Sequence, residues 1–213
     1  EQPGQRAALV TGDRALARRV SVELLRFGVV ADDSGGTPLA NTPAASLLRL
    51  ALEAVFRPGD PVGLLSLLKH PLLGLGLQRA YVRHAAELVE LVALRGGTGR
   101  PDIASLSDLF EARLTGLGSG SRPPFWFSRL TVRSIESARN LLEGLKQALA
   151  PLMAFRGQGD ADLAALVKAS VVAMENLGRA ADGGLADLYA GDAGEKLAEL
   201  LRGLVAASAT LSF

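Results

Sequence analysis

Arg6-Ala-Ala-Leu-Val-Thr-Gly-Asp-Arg14 and Gly28-Val-Val-Ala-Asp-Asp-Ser-Gly-Gly36 frame a helical stretch, and that frame decides the fold class. The first apolar run reads as a short strand. Arg14 to Phe27 reads as a helix, with Leu16, Val20, Leu24 and Phe27 at helical spacing and Arg18, Arg19, Glu23 and Arg26 on its other faces. Asp13 stands where an N-cap belongs, and Gly28 where such a helix stops. The second apolar run reads as another strand that ends in a turn at Asp32-Asp33-Ser34-Gly35-Gly36. Two strands joined by one helix are half of a parallel sheet and cannot bury both faces alone. An incomplete α/β unit is therefore expected at the start of the chain.

Everything after that unit reads as helix. Thr42-Pro43 opens a Leu-rich helix with Pro at its first position, and Pro58-Gly-Asp-Pro61 ends it. Further helices are expected over Val62–Leu68, Leu77–Leu94, Ser105–Leu114, Ser128–Leu149, Ala161–Leu177, Gly184–Tyr189 and Gly194–Ala207. Gly96-Gly-Thr-Gly-Arg-Pro101 and Gly116 to Pro124 read as connections. The expected fold is thus mostly α. It opens with a short strand-helix-strand, and two domains are expected: the start of an α/β domain over residues 1–75 and a helical, insertion-type domain over residues 76–213.

Hydrophobic residues make up 48% of the 213, and mean hydropathy is +0.24, so material for a packed core is ample. Only 5% are aromatic, which leaves Leu, Ala and Val to build that core. No apolar run approaches the ~20 residues needed to span a bilayer, and no signal-peptide pattern opens the chain. Absence of cysteine excludes disulfides and thiolate metal sites, and a cytoplasmic protein is expected. Position 1 is Glu and the only methionines are Met153 and Met174, so the chain reads as a piece of a longer one. Net charge is +1, too small to mark a nucleic-acid binder by itself. Its distribution is uneven: residues 61–150 carry eleven Lys/Arg against seven Asp/Glu, and residues 151–213 carry five against eight.

No Gly-x-x-x-x-Gly-Lys-Ser/Thr string exists to cradle phosphates, and no Gly-x-Ser-x-Gly elbow is present. His70 and His84 lack the i, i+4 spacing of a helical metal pair; His70, just before Pro71, reads as a capping or packing ring. Asp32-Asp33 reads as a turn rather than a metal site. No catalytic residue, metal ligand or cofactor is therefore assigned. The candidate binding residues are Arg122, Trp126, Arg129 and Arg133, around Phe125-Trp126-Phe127. Aromatics interleaved with arginines suit stacked bases and phosphates. A hydrophobic anchor that docks the loop is the competing reading, because successive residues of a helix point ~100° apart and cannot all face one ligand.

Arg6 to Val20, with Glu23-Leu-Leu-Arg-Phe-Gly-Val29, resembles the opening of the second motor-like domain of superfamily 1 helicases of the UvrD/RecB type. Asp32-Asp-Ser-Gly-Gly-Thr-Pro-Leu-Ala-Asn-Thr-Pro43, Leu68-Lys-His-Pro-Leu72 and Leu188-Tyr-Ala-Gly-Asp-Ala-Gly-Glu-Lys-Leu-Ala-Glu-Leu-Leu201 more particularly resemble AddB. AddB is the helicase-like subunit of the bacterial AddAB helicase–nuclease of double-strand-break repair. The resemblance implies an internal, non-catalytic region with an architectural, DNA-handling role. It also implies an AddA-like motor subunit as partner, DNA contacted through the whole complex, and no membrane. The family's nuclease, with its acidic metal ligands and often cluster-binding cysteines, would lie outside these residues. The parent complex would be an ATP-dependent helicase and exodeoxyribonuclease. A helical protein-interaction module without DNA contact is the alternative, and a stand-alone nucleotide-using enzyme a third.

Overall fold

The computed structural model describes residues 7–96, 99–119 and 123–208. They fall into two compact units that part after Pro38, whereas the sequence reading places its boundary at residue 75. In the first unit, α1 (Arg14–Arg26) starts on Asp13, whose carboxylate accepts from the backbone N–H of Ala15 (2.8 Å) and Leu16 (3.1 Å). It ends in a Schellman motif. Gly28, at φ 74°, donates to Leu25 O, and the N–H of Val29 reaches back to Leu24 O. The Asp33 carboxylate closes a turn by accepting from Gly35 N at 2.9 Å and takes both guanidinium nitrogens of Arg14 at 3.0 Å.

The strands expected on either side of α1 are not formed among the described residues. Residues 7–11 and 29–33 carry no ladder, and Val10 and Val30 are 94% and 83% exposed. A strand exists through hydrogen bonds to a neighbouring strand, and an apolar run supplies only the propensity. With no neighbouring strand paired to either run, both stay unladdered. The fold class is corrected accordingly: the described chain is mostly α, with no strand component.

The second unit, from Leu39 on, holds all the buried hydrophobic residues among those described. Its helices are α2 (Pro43–Phe56), α3 (Pro61–Leu68), α4 (Arg79–Val89), α5 (Leu106–Ser119), α6 (Val132–Met153), α7 (Leu163–Gly178) and α8 (Gly191–Ser208). Proline opens both α2 and α3, where its missing N–H costs no helical bond. The long α6 lies at the centre. Ala138, Leu141, Leu142, Leu145, Ala148, Leu149 and Leu152 repeat at three and four residues and are all buried. α4 and α7 pack along it, α8 packs on α7, and α2 touches α3, α6 and α7. α2 and α3 share one core with the later helices, which is why the unit begins at Leu39 and not after residue 75. The helix expected over Gly184–Tyr189 is a pair of turns, with Gly183 at φ 84° and Gly191 at φ 61° bracketing it. No helix among the described residues is long and apolar enough to cross a membrane.

Two irregularities shape this core. α4 runs on into a π turn, Glu90–Leu94, sealed by the N–H of Arg95 bonding Glu90 O at 3.0 Å, five residues back. The loop after α3 caps the end of α7. Backbone N–H groups of Gly74 and Leu75 donate to Leu177 O at 2.8 and 3.1 Å, and Gly76 donates to Arg179 O at 2.8 Å. These bonds satisfy carbonyls that a helix C-terminus leaves without partners.

Candidate nucleic-acid interface

Pro123-Pro124 opens a tight run of i to i+3 bonds. Phe127 N donates to Pro124 O at 2.9 Å, Arg129 N to Trp126 O at 3.1 Å, and Leu130 N to Phe127 O at 3.1 Å. This single 3-10 turn, Phe127–Arg129, precedes α6, so the three aromatics lie outside the helix that the sequence reading starts at Ser128. The N-terminus of α6 is fixed by a reciprocal cap. Thr131 Oγ1 accepts from Ser134 N at 3.1 Å, and Ser134 Oγ accepts from Thr131 N at 3.0 Å. Leu130 and Ile135 flank that cap at the positions of a hydrophobic staple and are both partly buried against the core.

Geometry of this kind sends the aromatics in different directions. Trp126 packs against the core, and its ring meets Phe127 edge-on, centroids 6.4 Å apart and planes at 63°. Phe127 lies over α5, close enough that a methyl on Gly118 would sit 3.5 Å from its ring tip. Phe125 alone faces solvent, 79% exposed, with the Arg129 guanidinium 5.8 Å above its ring centroid. Trp126 and Phe127 thus anchor the segment, and Phe125 is displayed.

Beside Phe125 and Trp126 opens a groove of about 610 Å³. Leu91, Val92 and Leu117 make its apolar floor, and Arg95 and Arg113 stand on its walls. No carboxylate lines it among the described residues. Arg95 is held by Glu90, whose Oε1 accepts from Nε at 2.9 Å and Nη2 at 2.6 Å while Lys69 pairs with Oε2. Glu90 is buried, 8% exposed, and the hydrogen bond from Lys69, helped by Arg95, holds its carboxyl below the usual range against the cost of burial. Of this cluster, Arg95 lines the groove.

Of the sequence candidates, Trp126 lines the groove, Arg129 stacks at its rim on Phe125, and Arg133 is exposed on the first turn of α6. Neither Arg129 nor Arg133 has a carboxylate within ion-pair distance among the described residues. Arg122 lies outside the described residues. Arg139 is turned away into a bidentate pair with Glu111 at 2.7 and 2.8 Å. Sequence reasoning missed Arg95 and Arg113. Their only signal is an arginine beside a Gly-Gly pair and another inside a helix, and the π turn that aims Arg95 has no sequence signature of its own.

Elsewhere, polar groups that invite a catalytic reading are already engaged. Ser46 Oγ lies 3.0 Å from His70 Nε2, the spacing of a nucleophile and its base. Ser46 spends its one proton on Pro43 O at 2.9 Å, and His70 Nδ1 accepts from Leu72 N at 3.2 Å. The proton of the ring is therefore on Nε2, pointing at Ser46, the reverse of what a general base needs. Asp102 is bound by both nitrogens of Arg156 at 2.8 and 2.6 Å and ties the turn before α5 to the segment after α6. No three of His, Asp and Glu converge as a metal-holding group among the described residues. Comparison of the chain with models of known families, with curated proteins and with solved structures returns no match.

Proposed function

We propose that the chain is a non-catalytic, DNA-handling region of an AddB-like subunit, working with an AddA-like motor in cytoplasmic double-strand-break repair. The resemblance of Leu68-Lys-His-Pro-Leu72 and of Leu188 to Leu201 supplies the family reading. On that reading, further strands of a helicase-like domain would pair with residues 7–11 and 29–33. The observation that carries DNA handling is an exposed aromatic ring under a guanidinium, at the edge of a groove walled by two more arginines. Phosphates supply the charge this surface lacks. Charge reversal at both Arg129 and Arg133 is expected to weaken DNA binding by the chain and to lower its salt slope by about one for each phosphate no longer neutralised. Unchanged affinity and slope in that double variant would refute the assignment.

A protein-interaction module is the second reading, and one observation favours it. An apolar trough runs between α7 and α8 along Val171, Leu201 and Val205, with Val172 46% exposed beside it. Lys168 and Arg202 stand at its edge. A partner helix seated there would be expected to protect α7 and α8 from hydrogen exchange and leave Phe125 as it was.

A further inference from the structure

We infer that the groove beside Phe125 and Trp126 seats a base of single-stranded DNA, so that the surface selects single strands over duplex. This rests on the DNA-handling reading and names the form of DNA that the site takes. Three features converge on a flat aromatic ligand carried on a polyanion. Arg129 covers one side of the Phe125 ring, yet the residue remains 79% exposed, which leaves the ring a stacking surface for a base. The groove next to it is large, about 610 Å³, and its partly exposed Leu91 and Leu117 offer apolar area to a base rather than hydrogen bonds that would read its edge. The charged groups that line the groove are basic: Arg95 and Arg113, with no carboxylate in the lining among the described residues, and Arg129 stands over the Phe125 ring at its edge.

Duplex DNA meets such a surface only with its phosphates, because its bases are stacked inside and cannot reach the apolar lining. A single strand brings both parts together, with a splayed base on the ring and the flanking phosphates against the arginines. Stacking surfaces accept every base, so the seat should show little sequence preference.

Trp126 is the only tryptophan of the chain and lines the groove, so its emission reports occupancy without a label. The full chain would be titrated at low salt with a thymidine oligonucleotide of about 12 residues, within the usual span of single-strand sites. An abasic oligonucleotide of equal length and a duplex would serve as comparisons. The expected result is saturable quenching by the single strand, with weaker binding and little quenching by the abasic strand and the duplex. Phe125→Ala should lower single-strand affinity roughly 5- to 150-fold, the span of one base stack removed, and leave duplex affinity unchanged. Because Phe125 is exposed, the variant should keep its helical circular dichroism. Duplex binding that responds to Arg129→Glu while Trp126 emission stays silent would overturn the base seat alone. So would single-strand affinity indifferent to Phe125→Ala. No binding of either form at low salt would overturn both the seat and the DNA-handling reading.

Discussion

His70 shows how one ring can look catalytic and be structural. Its Nδ1 takes the Leu72 N–H and its Nε2 donates to Ser46, so the folded chain is built around the neutral ring. Burial pushes its pKa below the ordinary value of 6.5, and a proton on Nδ1 would also confront the Leu72 N–H. The unfolded chain therefore binds more protons than the folded one between the lowered value and about 6.5, and stability rises with pH across that window. Urea unfolding at pH 7 and pH 5.5 should give a lower midpoint at the acid value. His70→Gln should remove much of the difference, while itself costing on the order of 1–3 kcal/mol for the partners left unpaired. A midpoint that does not move with pH in the parent chain would refute the neutral-ring assignment. Sequence reasoning could place His70 before a helix-ending proline and so find its capping role. It could not find Ser46, 24 residues earlier, because that meeting depends on how α2 lies beside the end of α3.

At the scale of elements, the loop between α3 and α4 is the tightest join in the second unit. Gly74 brings its backbone so close to the end of α7 that a β-carbon would sit 2.2 Å from Arg179 O, and Leu75 accepts a left-handed φ of 52° to continue the contact. A backbone carbonyl cannot swing aside as a flexible side chain does, so Gly74→Ala must push the loop off α7. The hydrogen bonds to the Leu177 and Arg179 carbonyls would break with it. The expected cost is about 1–3 kcal/mol for the overpacking alone, read by denaturant midpoint. Hydrogen exchange should rise first at Gly74–Gly76. Gly118→Ala is a useful contrast, since its nearest neighbour is the Phe127 ring tip at an ordinary 3.5 Å and α5 gains a better helix former. Equal destabilisation by the two changes would argue against the close approach. The helices themselves were largely legible. Amphipathic period, Asp13, Pro43, Pro61 and Gly28 are local signals, and the starts and stops follow them within a few residues. The π turn and the 3-10 turn before α6 were not, because each answers to packing at a distance. Phe125-Trp126-Phe127 shows the same limit at the candidate site: composition marks the stretch, and only the turn decides which ring is displayed.

At the scale of the molecule, the division after Pro38 separates where apolar residues occur from where they are buried. Buried hydrophobic residues run from Ala44 to Leu201, and α1 contributes none. Leu9, Val10, Phe27, Val29 and Val30 are apolar by sequence and exposed in the first unit. The sequence pattern reports only strand propensity, and the strands read from it are not formed: pairing is a non-local property, and a strand's neighbours cannot be read from the strand. Apolar burial is the main favourable term in folding, at about 25 cal/mol for each Å² removed from water. A chain beginning at Leu39 should therefore keep nearly all of the stability. For a unit of this size each 1 kcal/mol moves the melting midpoint by about 2–4 °C, so the shortened chain should melt within about 4 °C of the parent. Its exposed apolar surface should fall at the same time, measured as weaker binding of a hydrophobic dye. A much larger drop in the midpoint would mean that residues 7–38 supply buried surface that their exposure denies, and the two-unit division would fall with it.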